Sequence, residues 1–261
     1  MTRVARHFLG TTAIALSLIT VTAARADSDD RTVYLQTDLD SNLTAEGTNP
    51  TDPDLQNAWG VANFPGGPLW ISDNNTGLST LYDGNGVKQG LKVTIPLPPG
   101  RVAPPPAAPT GMVWNPTSNF PVTGNGVTIP AIFIWAKEDG TITAWNPAAD
   151  PIAGGLSTAS LVVNNSGSGA VYKGLAFATN VHGTFLFATN IFAGTVDVFD
   201  KNFKPALLDG DFSDPTIPAG FAPFGIALVD NNLFVTYAKQ NAQKAEERRR
   251  PRRRPRLHRR L

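Results

Sequence analysis

The chain contains no cysteine, which excludes a disulfide framework, a thiol nucleophile and thiolate metal sites together. It has three histidines, and between residues 27 and 243 only His182. A histidine-based catalytic relay or an imidazole-rich zinc centre needs more than that. His182 itself lies in "NVHGT", a turn sequence in which it reads as an exposed loop residue rather than a general base. HExxH, G-x-S-x-G and Gly-x-x-x-x-Gly-Lys do not occur, and "GNG" at Gly84 and Gly124 lacks the strand-to-helix context of a nucleotide loop.

Long apolar runs are equally scarce. The stretch "FLGTTAIALSLITV", residues 8 to 21, is shorter than the ~20 residues a membrane-spanning helix needs. Arg3 and Arg6 precede it and "ARA" follows it, so residues 1–26 are predicted to be an export signal, with the mature chain starting at Asp27. Arg3 and Arg6 are not adjacent, which points to the Sec route and to a periplasmic, extracellular or cell-surface product. No later segment is apolar enough to cross a bilayer as a helix, so no transmembrane helix is expected in the mature chain.

Charge is thin and uneven. Residues 27–243 carry nine Lys and Arg against nineteen Asp and Glu, a net of −10, whereas residues 244–261 carry ten against two, a net of +8. An acidic body is poorly suited to nucleic acid, so attraction to phosphate would have to come from the tail. That tail, "KAEERRRPRRRPRLHRRL", holds nine arginines, while residues 27–243 hold only Arg31 and Arg101. So abrupt a change reads as a shifted reading frame and a disordered basic segment. The alternative is a basic arm for nucleic acid, an anionic membrane or an acidic partner.

What the sequence does have is a repeat. A glycine followed by apolar residues, then a β-rich run, a glycine turn and a second β-rich run recur in "WGVANFPGGPLWISDNNTGLSTLYDGNG", "TGMVWNP" with "AIFIWAKEDGTITAWNP", "KGLAFATNVHGTFLFATNIFAGTVDVFD" and "FGIALVDNNLFVTYAKQN". The leading glycines, Gly60, Gly111, Gly174 and Gly225, are spaced by 51, 63 and 51 residues, close to the ~40 to 50 of propeller blades. "LWIS", "FIWA", "FLFAT" and "LFVTY" suit strands buried on both faces. "LSTLYD", "TITAWN" and "TVDVFD" alternate, as outer strands with a wet side would. Gly77, Gly140 and Gly194 close the intervening loops in the manner of left-handed hairpin residues. The seven prolines of "PLPPGRVAPPPAAP" predict a surface loop between the first two blades. No convincing helical period occurs after the leader.

The segments "YLQTDL", "DPDLQNAWGVA", "LWISDNNTGLSTLYDGNG", "AIFIWAKEDGTITAWNP", "GAVYKGLA", "GTVDVFD", "PAGFAPFGI" and "LFVTYAKQN" together resemble a family of exported bacterial β-propellers, some of whose members carry a Pro-Glu-Pro C-terminal sorting signal. The resemblance runs from about residue 32 to 244. It implies a six-bladed type of propeller, related in shape to NHL-repeat and gluconolactonase-like proteins. Members continue past "YAKQ" with further blades, and this chain departs at Ala245. The expected fold is therefore all-β: an incomplete β-propeller of about four blades over residues 27–243, between a signal helix and a disordered Arg-rich tail. The strand "TVYLQTDL", which would close an intact ring, is left without its partner blade, and an open sheet face of low solubility is expected.

Propellers bind ligands where inner-strand ends and their loops converge at the channel mouth. That rule nominates Asp73, Asn74, Lys137, Glu138, Asp139, Asn190 and Lys239. No cofactor is required by the sequence. Gluconolactonase-like proteins place a divalent cation at this mouth, so the resemblance makes Asp73, Glu138 and Asn190 candidate ligands for calcium or a similar ion. The same residues are also ordinary hairpin formers. Asp38, Asp40 and Asn42 begin a calcium-loop pattern, but Leu43 replaces its glycine. Trp59, Trp70, Trp114, Trp135 and Trp145 recur with the blades and read mainly as core, with a sugar-stacking platform as the alternative. Three functions follow: a scaffold binding a small molecule or protein without catalysis, a metal-dependent lactonase-type hydrolase, or attachment through the tail.

Overall fold

The computed structural model describes residues 37–44, 51–103, 106–209, 212 and 214–245. Residues 1–26, for which an export signal is predicted, most of "TVYLQTDL" and residues 246–261 lie outside the described residues. The chain divides after Asp38, and every described strand belongs to the unit that begins at Leu39.

The repeat folds as four sheets in series, antiparallel within each repeat. The first contains β1 (Ala58–Ala62), β2 (Leu69–Asp73), β3 (Leu78–Tyr82) and β4 (Lys88–Thr94). The second is built on β5 (Pro109–Trp114) and, after an inserted hairpin of β6 (Pro121–Gly124) and β7 (Val127–Pro130), continues with β8 (Phe133–Lys137) and β9 (Thr141–Trp145). Beyond β9, β10 (Leu156–Thr158) crosses back to pair in parallel with β4, and β11 (Ser160–Asn164) completes the second sheet. β12 (Tyr172–Asn180), β13 (Gly183–Asn190) and β14 (Thr195–Phe199) form the third, and β15 (Phe221–Val229) with β16 (Asn232–Lys239) the fourth. A short 3-10 turn lies at Ser166–Ser168.

The first strand of each sheet lies against the first strand of the next: β1 on β5, β5 on β12, β12 on β15. That serial packing through inner strands makes this a sector of a propeller. The leading glycines explain how it is achieved. A Cβ on Gly60 would stand 2.4 Å from the Thr110 carbonyl oxygen, one on Gly111 2.4 Å from the Leu175 nitrogen, and one on Gly174 2.9 Å from both the Ile226 nitrogen and the Phe224 oxygen. Backbone meets backbone at each junction, and any side chain would hold the strands apart. Gly77, Gly140 and Gly194 take φ values of 69°, 78° and 78°, as their turns require.

Aromatic side chains fill the spaces between sheets. Trp70, Phe133, Trp135 and Trp145 pack between the first two, with Trp70 and Phe133 stacked at 4.2 Å. Ile134, Ile142, Tyr172, Leu186 and Phe199 pack between the second and third. The expectation of a wet side on the third-position strands fails for β3 and β9, where Ser79, Thr80, Thr141 and Thr143 are fully buried. Neither strand is the outermost of its sheet, because β4 and β11 lie beyond them. Local hydrogen bonds take up most of these hydroxyls: Ser79 donates to the Ile71 carbonyl and Thr141 to Asp139.

Candidate functional site

Every inner strand carries one extra residue relative to its partner at the same place. The register slips between Ala58 and Val61, Pro109 and Met112, Tyr172 and Leu175, and Pro223 and Ile226. Each slip is a β-bulge containing the residue before the repeat glycine, and bulges re-aim side chains. The four residues concerned are Trp59, Thr110, Lys173 and Phe224. Three of them converge.

Trp59, from the first sheet, meets Phe224, from the fourth, with ring centroids 5.9 Å apart and planes inclined at 37°. The Lys173 ammonium, from the third, lies 5.0 Å from the Trp59 ring and 6.0 Å from that of Phe224. It donates to the carboxylate of Glu138, which follows β8 of the second sheet. All four sheets thus contribute to one cluster. Its cation is buried and desolvated beneath two aromatic faces, a setting in which cation–π attraction reaches about 2 kcal/mol. Trp59 and Phe224 are half-buried, and the Glu138 side chain keeps 26% of its surface exposed. Thr110 plays the fourth part structurally, its hydroxyl lying 2.9 Å from the Tyr172 oxygen it donates to. The cluster therefore presents two half-buried rings and a partly exposed carboxylate around a fixed positive charge.

Of the residues nominated from the sequence, Glu138 belongs to this cluster. The others have different partners. Asn74 accepts from the Asn57 amide at 3.1 Å and donates to the Pro109 carbonyl at 3.2 Å, tying the first sheet to the second. Asp139 accepts from the Thr141 backbone and hydroxyl in its own hairpin and stands 3.3 Å from the buried Lys137, whose ammonium also donates to the Pro96 carbonyl. Burial pushes the Lys137 ammonium below its usual range. Asn190 accepts from the Val171 and Ala193 nitrogens and donates to Asp197. Lys239 is out of register: Tyr237, not Lys239, pairs with Pro223 two residues before Gly225, the position that Asp73, Lys137 and Asn190 hold in the other sheets. Among the described residues no three His, Cys, Asp or Glu side chains are grouped as a metal site.

Asp73 belongs to a second network, on the back of the first sheet. Its Oδ2 accepts from Thr80 at 2.7 Å, and its Oδ1 is buried without a partner. Burial pushes its carboxyl up to about 7. From Thr80 the network runs through Tyr82 to Asp52, then to Lys88, Asp54 and Lys92, with Lys88 2.7 Å from Asp52 and Lys92 2.8 Å from Asp54. Burial opposes ionisation of Asp52, but hydrogen bonds from Lys88 and Tyr82 outweigh it and hold Asp52 below the usual carboxylate range. Lys88 and Lys92 hold Asp54 low directly. Asp40, of the calcium-like run, is pushed up by burial and by nearby Asp52. Away from the axis, a groove of about 610 Å³ follows the outer edge of the third sheet beside β14, lined by residues that include Asp197, Leu207 and Phe212.

Lys173 and the bulge were missed by sequence reasoning, although a glycine inside a strand pattern, repeated four times, is a signal for close backbone approach. Of the five tryptophans, Trp70, Trp135 and Trp145 are core, as expected. Trp59 is not.

No family model matches the chain. It is 35% identical over 209 residues to Uncharacterized protein R648 of Acanthamoeba polyphaga mimivirus, covering 78% of this chain and 48% of that protein. To Uncharacterized protein R640 of the same virus it is 30% identical over 126 residues, 47% of this chain and 22% of that one. The chain thus spans about half the length, or less, of these relatives. Similar solved structures include a streptogramin B lyase, at a TM-score of 0.44 and 15% identity over 72% of this chain and 50% of that one. A protein of unknown function from Bacteroides caccae aligns at 0.38 and 14% over 74% and 59%.

Proposed function

We propose that this protein is an exported binding module without a reaction of its own, and that its axial cluster takes a small polyol or sugar ring. The observation that carries this reading is the convergence of Trp59, Phe224, Lys173 and Glu138 from four sheets on one half-exposed spot. A sugar presents an apolar ring face that stacks on Trp59 or Phe224 and hydroxyl edges that donate to a carboxylate oxygen. The Lys173–Glu138 pair keeps that oxygen in place. Export is supported by the leader pattern of residues 1–26.

Titration of the protein with a panel of neutral monosaccharides and polyols, followed by calorimetry and tryptophan emission, tests the reading. Saturable binding is expected, weakened about tenfold (about 1.4 kcal/mol) by Trp59→Ala. A panel that gives no saturation, or binding that Trp59→Ala leaves intact, contradicts it.

A further inference from the structure

The third sheet lacks the strand that finishes the first two. β4 runs antiparallel along β3, and β11 along β9, whereas β14 is the outermost strand of its sheet. That sheet is flanked on both faces, since β12 lies against β5 and β15, so what is open is its outer edge. The turn that leads into β4 is nevertheless repeated after β14. Asp83 Oδ1 accepts from the Asn85 and Val87 nitrogens at 2.8 and 2.9 Å, and Asp200 Oδ1 accepts from the Asn202 and Lys204 nitrogens at the same distances. The chain then re-enters each sheet at the matching place, Lys88 opposite Tyr82 and Pro205 opposite Phe199. β4 continues to Thr94, opposite Leu78. In the third sheet the Ala206 nitrogen donates to the Val198 carbonyl at 2.9 Å, and there the chain departs. Leu207 is fully exposed, and Phe212 lies against Phe187 while its carbonyl accepts from the Tyr237 hydroxyl.

The groove of about 610 Å³ lies between β14 and the departing chain. The Val198 carbonyl faces outward to Ala206, so by the alternation of a strand the backbone groups of Val196 face outward as well. Val196 and Val198 point their side chains to the face that carries Phe187, which is opposite Val198. Thr195 and Asp197 stand on the other face, beside Asn165. The Asp197 carboxylate accepts from the Tyr172 and Thr195 hydroxyls at 2.8 Å and from the Asn190 amide at 3.1 Å. All three donors are neutral, and none of the ion pairs among the described residues includes Asp197. A strand laid along β14 therefore meets apolar surface on one side and an uncompensated carboxylate on the other. We propose that this edge takes an extended peptide of alternating apolar and basic residues, paired antiparallel to β14 in the place of a fourth strand. Backbone bonds to the open edge supply affinity, and the alternate side chains supply specificity. The direction is that of β4 and β11, and of Ala206 where it touches β14. The net charge of −10 over residues 27–243 favours the basic positions. In this pairing the apolar residues lie opposite Val196 and its neighbours, and it is their N–H groups that face β14, as that of Ala206 does.

Fluorescence anisotropy of a labelled, capped peptide of four Val-Lys repeats, titrated with the full chain, tests this. Saturable binding is expected, and it should persist in high salt, because the backbone bonds and the apolar side remain. N-methylation of the valine amides should abolish binding. N-methylation of the lysine amides, which point away from β14, should change it by no more than about twofold. Val196→Pro removes an outward N–H from an edge strand, where proline is tolerated, and should weaken binding about tenfold. Should that variant fail to fold, as judged by its melt, the methylated peptides carry the test on the unaltered protein. Absence of saturation overturns the proposal. So does a valine-methylated peptide that binds as well as the unmethylated one, or binding that salt dissolves, which belongs to charge alone. Sedimentation velocity covers the remaining occupant: a dimer of the full chain that Val196→Pro dissolves gives the edge to a second copy and overturns the assignment to a peptide.

Discussion

Asp73→Asn is expected to be more stable than the parent protein at pH 8 by roughly 4 kcal/mol, and about equally stable at pH 4. In the folded chain Asp73 is buried, with Oδ1 unpartnered, and its carboxyl is pushed up to about 7 by that burial. Unfolded, the same group ionises at its ordinary value of 3.8. Between these values the folded state holds a proton that the unfolded state has lost, so the parent's stability falls as pH rises from about 4 to 7 and is level above that. Asparagine keeps the acceptor for Thr80 and does not titrate. Asp52 and Asp54 act in the opposite sense. Their carboxyls are held low, so their stabilisation is present above the unfolded value and is lost on acidification through their folded values. Both proteins share that loss, so the difference between their urea midpoints, taken across the pH range, isolates Asp73. A difference that does not change with pH would remove the basis for a neutral Asp73.

The second large effect is steric. Gly111→Ala is expected to destabilise the protein by about 3 kcal/mol, at the upper end for overpacking, because the new methyl would lie 2.4 Å from the Leu175 nitrogen and neither inner strand can yield separately. Gly225→Ala makes the control. There the nearest atom is the Thr236 hydroxyl oxygen at 2.8 Å, a side chain that can turn away. A loss below about 1 kcal/mol is expected. Neither glycine has positive φ, so the contrast reads space alone. Equal losses at the two positions in urea unfolding would mean that inner strands are not in backbone contact.

Much of the sheet order was legible in the sequence because a repeat multiplies weak signals. One "TITAWN" is ambiguous; three such runs at fixed distance from a glycine define a strand and its neighbour. The loop glycines and the Trp70, Trp135 and Trp145 core followed from the same periodicity. What could not be read is what depends on partners distant in sequence. β10 joins the first sheet from within the second repeat, and "LST" carries no mark of a parallel strand. The burial of Thr80 and Thr143 depends on strands farther out in their sheets. In the fourth repeat, counting along "LFVTYAKQN" points to Lys239, whereas the bulge at Phe224 fixes the register and gives the position to Tyr237.

The site was legible only in part. Asp73, Asn74, Asp139 and Asn190 are chemistry-bearing residues at strand ends, and each is engaged with its own hairpin or an adjacent strand, the ordinary use of Asp and Asn there. Glu138 was placed at the mouth, but its partner could not be named. Lys173 precedes a repeat glycine, as Trp59 and Phe224 do, and the three residue types have nothing in common to show that bulges bring them together.

Convergence of the inner strands about one axis is tested most directly by a nuclear Overhauser effect between the Trp59 indole and the Phe224 ring, whose centroids lie 5.9 Å apart. With those two residues selectively labelled, cross-peaks between their ring protons are expected. Their absence in the folded protein, with both rings assigned, would contradict the radial arrangement and the site built on it.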